Sequence, residues 1–153
     1  MKSLKQKDKT KQSLQMAYGF AALELEKAER LEATIKMSME NGDKIDAEIL
    51  TDYAKVINSY CDALDLMENY KIEQIQYEKV MSLLSKYGEK HPDQLSITMT
   101  TYVKYAEVLW SQNKYKQSCR ALKVAIAFLL NNIDDLNGDD VNKDFIIKKV
   151  LMV

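Results

Sequence analysis

The residues of this chain that could do chemistry are few: one histidine, His91; two cysteines, Cys61 and Cys119; a run of acids after residue 133; and one tryptophan, Trp110. His91 adjoins Pro92 and Asp93. A general base needs a nucleophile or carboxylate brought to it by the fold, whereas Pro directly after a turn is how helices commonly start, so His91 is expected to be structural. Cys61 and Cys119 lie far apart without CxxC spacing, and two Cys with one His do not fill an ordinary zinc site. Both are expected to be small core residues. The stretch "DLNGDDVNKDF" sets Asp135, Asn137 and Asp139 at positions 1, 3 and 5 of a calcium loop. Asp140 then stands where the sharp turn requires Gly, and Ile146 where a bidentate acid is required, so an acidic linker is expected. No Gly-rich phosphate loop, GxSxG or HExxH occurs. The chain is expected to be no enzyme and to hold no cofactor and no metal.

Whatever positions these residues is helical. At 153 residues, with 46% hydrophobic and 29% charged, the chain has the balance of one globular domain. Four Gly and one Pro are too few turn residues for a many-stranded β protein. A net charge of −1 gives no global attraction for nucleic acid, and none is expected as a partner. Lys2, Lys5, Lys7, Lys9 and Lys11 make residues 1–11 a basic, flexible start. No window approaches 18 apolar residues and the basic start leads into no signal peptide, so neither a membrane span nor secretion is expected. An intracellular, cytoplasmic setting follows, with the nucleus left open.

Apolar residues recur at three and four, as in Leu14, Ala17, Tyr18, Ala21, Ala22, Leu25 and Ala28. Breaks at Asn41-Gly42-Asp43, at 86–93 and at 131–140 leave three segments of roughly 40 residues, each long enough to fold as a two-helix hairpin. The predicted units are 12–41, 45–88 and 93–131, followed by an acidic linker at 132–140 and a last apolar segment at 141–153. That segment, "VNKDFIIKKVLMV", either caps the final hairpin or begins a further unit.

Within the later segments a pattern repeats at a spacing of 45. Tyr60, Cys61, Leu64, Tyr70, Tyr77, Val80 and Met81 fall opposite Tyr105, Ala106, Leu109, Tyr115, Leu122, Ala125 and Ile126. Tyr102, Tyr105, Ala106 and Leu109, followed by Tyr115, Ser118, Leu122 and Ala125, carry the large and small alternation of a helical hairpin whose small residues permit close approach. In this the chain resembles the tetratricopeptide repeat family, and its spacing resembles the long-helix variants of kinesin light chain. The resemblance is carried by residues 53–130. Ile57, Tyr60, Cys61, Leu64, Tyr70, Tyr77 and Val80 follow the pattern, with Glu73 standing where a small residue belongs. It implies an all-α fold, a right-handed stack of antiparallel helical hairpins with a C-terminal helix.

The resemblance also implies a concave groove lined by the first helix of each unit. The groove positions are Lys55, Asn58, Asp62, Asp65 and Leu66 in one unit, and Thr100, Val103, Glu107, Trp110 and Ser111 in the next. Asp62, Asp65 and Glu107 would steer a basic peptide or helix of a partner protein and Trp110 would anchor it. The plainer alternative makes the acids a wetted helix face and Trp110 a core residue between units. A structural subunit or chaperone using apolar helix faces is a second function, and self-association through the last segment a further expectation. A small helical enzyme is the remote third.

Overall fold

A computed structural model describes the backbone of residues 4–133 and the side chains of residues 11–133. The described residues form five helices: α1 (Leu4–Glu40), α2 (Ala47–Leu66), α3 (Tyr70–Tyr87), α4 (Pro92–Ser111) and α5 (Tyr115–Asn132). Consecutive helices pack on one another, and α4 also lies against α2. The result is an all-α stack of antiparallel hairpins.

The first segment departs from expectation. In place of a hairpin over 12–41 there is one unbroken helix, and residues 4–11, expected to be a flexible start, form its first turns. The reason is local. Between Ser13 and Ser38 the sole breaker is Gly19, beside which a Cβ would meet only open space, and one Gly in a helix interior costs only about 1 kcal/mol. Against it stand ion pairs along the helix, Glu24 with Lys27 at 3.0 Å, Glu26 with Arg30 at 3.3 Å and Glu32 with Lys36 at 3.7 Å. Ala21, Ala28 and Ile35 recur at seven and bury one face of α1 in a core shared with Leu50, Tyr53, Ile57 and Leu64 of α2. The helix stops at Asn41 and Gly42, whose φ of 71° a β-carbon would disfavour. The predicted segment 141–153 lies outside the described residues.

Each later helix begins and ends where the chain supplies the grammar for it. Asp46 caps α2, its Oδ1 accepting from the backbone N–H of Glu48 at 2.8 Å and of Ile49 at 3.3 Å. Pro92 opens α4 immediately after His91, an exposed residue whose ring makes no cap bond. The α2–α3 and α4–α5 connections are the same turn. Glu68 and Asn113 both take left-handed backbone, with φ of 56° and 63°. The amide after each reaches back to Leu64 O and Leu109 O, both at 2.9 Å, and their own amides reach Asp65 O at 3.0 Å and Trp110 O at 2.9 Å. This is the Schellman closure of a helix, which glycine usually serves.

The interiors of the two hairpins differ. Between α4 and α5 lie Leu95, Met99, Val103, Ala125 and Leu129, and beside them Ala106, Leu109, Ala121 and Leu122. Ser118 brings the two helices close by donating from Oγ to Ala106 O at 2.7 Å. Forty-five residues earlier the corresponding contact is Cys61 Sγ to Glu73 O at 3.8 Å, so a glutamate occupies the close-approach position.

A glycine at position 68 removes the steric cost of a β-carbon in left-handed backbone. Glu68→Gly is expected to stabilise the chain by about 0.5–1 kcal/mol, measured as a higher denaturation midpoint at unchanged slope.

Candidate functional site

The surface on which the predicted groove residues sit is organised by polar rungs between α2 and α4. Thr51 donates its hydroxyl to Ala47 O at 2.7 Å and accepts from Gln94 Nε2 at 3.2 Å. Thr101, on the other helix, donates to Ile97 O at 2.7 Å and accepts from Asn58 Nδ2 at 2.9 Å. Gln94 completes its amide with Ala47 O and with the backbone N–H of Glu89. Next along the pair, Lys104 Nζ bonds Asp62 Oδ1 at 2.8 Å. One turn further on α2, burial raises the Asp65 carboxyl above its ordinary value, and the charges of Glu107 and Asp62 add to the shift.

These rungs sort the predicted residues. Asn58 and Val103 are not surface residues. Asn58 is buried as a rung, bonded to Ala54 O and Thr101, and Val103 is buried because α5 covers that side of α4 with Ala125 and Leu129. Lys55, Asp62, Asp65, Leu66, Glu107, Trp110 and Ser111 are exposed, and Thr100 is half-buried with its hydroxyl on Ser96 O. Ser111 caps back onto Glu107 O. Trp110 is no core residue: it is 51% exposed and held edge to face against Tyr115, ring centroids 4.5 Å apart. Of the two cysteines, Cys61 is buried as expected, but Cys119 is exposed on α5.

Two residues unforeseen as part of the site complete it. Lys104 is the partner of Asp62, and a spacing of 42 to 43 between bonded α2 and α4 residues is the signal that finds it. Glu73 projects from the first turn of α3 behind Asp65. It is 4% exposed and its Oε2 has no hydrogen-bond partner. Burial, and then the charge of Asp65 beside it, push the Glu73 carboxyl up to about 8, with Asp62 adding to the shift and Lys104 opposing it. Asp65 is raised as well, first by burial, while its bond with Glu73 works the other way. The proton of this pair therefore sits on Glu73 and Asp65 carries the charge. Burial likewise pushes the Cys61 thiol up, leaving it protonated and unreactive.

Among the described residues no group of His, Cys, Asp and Glu has the arrangement of a metal site. No described helix is long and apolar enough to cross a membrane. One hollow is lined by Tyr102, Tyr105 and Val124 and another by Met39, Ile45 and Tyr87. None of the family models, curated proteins or solved structures compared with the chain matches it.

An unfolded glutamate ionises near pH ~4.3, whereas folded Glu73 keeps its proton to about 8. The folded state therefore binds the extra proton between these values, and stability declines as pH rises through them. Glu73→Gln is expected to flatten that decline and to stabilise the chain at about pH 8 by about 1–3 kcal/mol, read from denaturation midpoints at the two ends of the window.

Proposed function

We propose that this chain is a non-catalytic interaction module of the tetratricopeptide-like kind, taking a peptide or helix of a partner protein on its α2–α4 face. The observation that carries the reading is Trp110. A tryptophan half out of water and stiffened by Tyr115 has already lost much of the freedom that binding would remove, and it offers a large rigid area to cover. Glu107 stands about one turn before it on α4, and Asp62 and Asp65 are exposed on the neighbouring α2, acids that favour a basic partner. The matching turns at Glu68 and Asn113 and the spacing of 45 between Cys61–Glu73 and Ala106–Ser118 support a repeat architecture. A cytoplasmic or nuclear setting fits such a module, and the reading assigns it a protein partner and neither nucleic acid, membrane nor cofactor.

A second reading draws on α1. Met16, Phe20 and Leu23, spaced four and three apart, stand exposed along one side of it, and Tyr18 is exposed on another. Apolar groups gathered in this way suit packing against another chain, which would make the protein a structural subunit.

Partners captured with the intact chain are expected to bind Trp110→Ala at least about tenfold more weakly, by titration, at unchanged helical circular dichroism. For the subunit reading, sedimentation at rising concentration would show association that Phe20→Glu abolishes. Association unaffected by that change would remove α1 from consideration.

A further inference from the structure

The side of α1 that carries Met16, Phe20 and Leu23 points away from the rest of the fold. α1 has 37 residues and α2 has 20, about 55 Å against about 30 Å, so α2 running back beside it covers only part of its length. Residues 11–16 are all exposed, and the core is met by Ala21, Ala28 and Ile35. Met16, Phe20 and Leu23 lie about 110° around the helix from those three, and about 150° from Glu32, which Lys79 of α3 reaches at 2.8 Å. They are 76%, 47% and 61% exposed. The next positions along the same stripe are Lys27 and Arg30, both exposed, and in the sequence the spacing runs back through Ser13 to Lys9 and Lys5. No Asp or Glu falls on this spacing. Glu24 and Glu26 flank it and pair with Lys27 at 3.0 Å and with Arg30 at 3.3 Å. Ion pairs made by bases this exposed are weak, so both cations are available to a denser source of negative charge.

We propose that this face of α1 lies on an anionic lipid surface. Met16, Phe20 and Leu23 enter the boundary between headgroups and acyl chains, while Lys27, Arg30 and the lysines before them meet the headgroup anions. The contact is separate from the α2–α4 face and does not depend on it. It competes with the subunit reading for the same residues, and the charge of the face decides between them. A second copy laid on this stripe would set cations against cations, and protein interfaces keep lysine out of their centres. A bilayer offers apolar depth beneath a continuous layer of anions, and basic side chains rest their stems on the first while their heads reach the second. The uncharged stretch 14–23 is far shorter than the ~20 residues a crossing needs, so the helix lies in the plane of the surface.

The test floats the full chain with large vesicles of phosphatidylcholine, either alone or with about 30% phosphatidylserine, in about 0.15 M salt. The serine-lipid vesicles are expected to hold the chain at least about tenfold more tightly than the neutral ones, and about 0.5 M salt is expected to weaken that hold several-fold. Phe20→Gln is expected to lower binding at least about fivefold, and Lys9→Gln with Arg30→Gln several-fold, each at unchanged helical circular dichroism. Tyr18→Gln removes an exposed ring from another side of α1 and is expected to keep binding within about twofold. Equal binding to the two vesicles, binding to neither, or equal losses from Tyr18→Gln and Phe20→Gln overturns the lipid contact. Sedimentation without lipid separates the competing reading. Association there that Phe20→Glu abolishes, together with no vesicle binding, gives the face to another chain and overturns the lipid contact. Vesicle binding without such association upholds it and removes the subunit reading.

Discussion

Two threonine hydroxyls govern how α2 and α4 lie against each other. Each is turned back to a carbonyl of its own helix, Thr51 to Ala47 O and Thr101 to Ile97 O, which spends its proton and leaves a lone pair facing the other helix. That lone pair accepts one amide hydrogen, from Gln94 in the first case and Asn58 in the second. Apolar side chains tolerate a small slip between helices; a buried amide does not, because leaving it unpaired costs about 1–3 kcal/mol. Slipping α4 by one residue would break both of these cross-helix bonds at once. Everything further along the pair inherits the register they impose, including Lys104 over Asp62.

The same register boxes in Glu73. In the α4–α5 hairpin the close-approach position is filled by Ser118, whose hydroxyl is satisfied by a carbonyl of the facing helix. At the equivalent place between α2 and α3 the chain has a carboxylic acid, and the helices still come together, with Cys61 against the Glu73 backbone. The acid can be accommodated there because it keeps its proton and so buries no net charge. A contact that is purely structural in one hairpin is ionisable in the other.

Much of this was legible in the amino-acid order and some was not. The helical period, the breaks at 41–43 and 86–93 and the Pro92 start of α4 were readable because each is written in adjacent residues. The first segment misled because length alone suggested a hairpin, while the lone Gly19 between 13 and 38 is too weak a break to turn the chain and the Glu–Lys and Glu–Arg pairs hold it straight. Asn58 and Val103 were placed in the groove by the family resemblance, position by position along single helices. Their burial comes from neighbours on two sides, α4 over Asn58 and α5 over Val103, which the period of one helix does not encode. Glu73 was visible as a misfit, but its pairing with Asp65 depends on a turn and a register that arise only in three dimensions.

The two thiols have parted company in a useful way. Cys61 is sealed in the core with its proton held, and Cys119 stands in water on α5, four residues past the tyrosine that braces Trp110. The chain thus carries a single exposed thiol about one helical turn from the ring that packs on its single indole. A dye placed on Cys119 and the native fluorescence of Trp110 form a short-range optical pair spanning the α4–α5 corner, already built into the unaltered sequence.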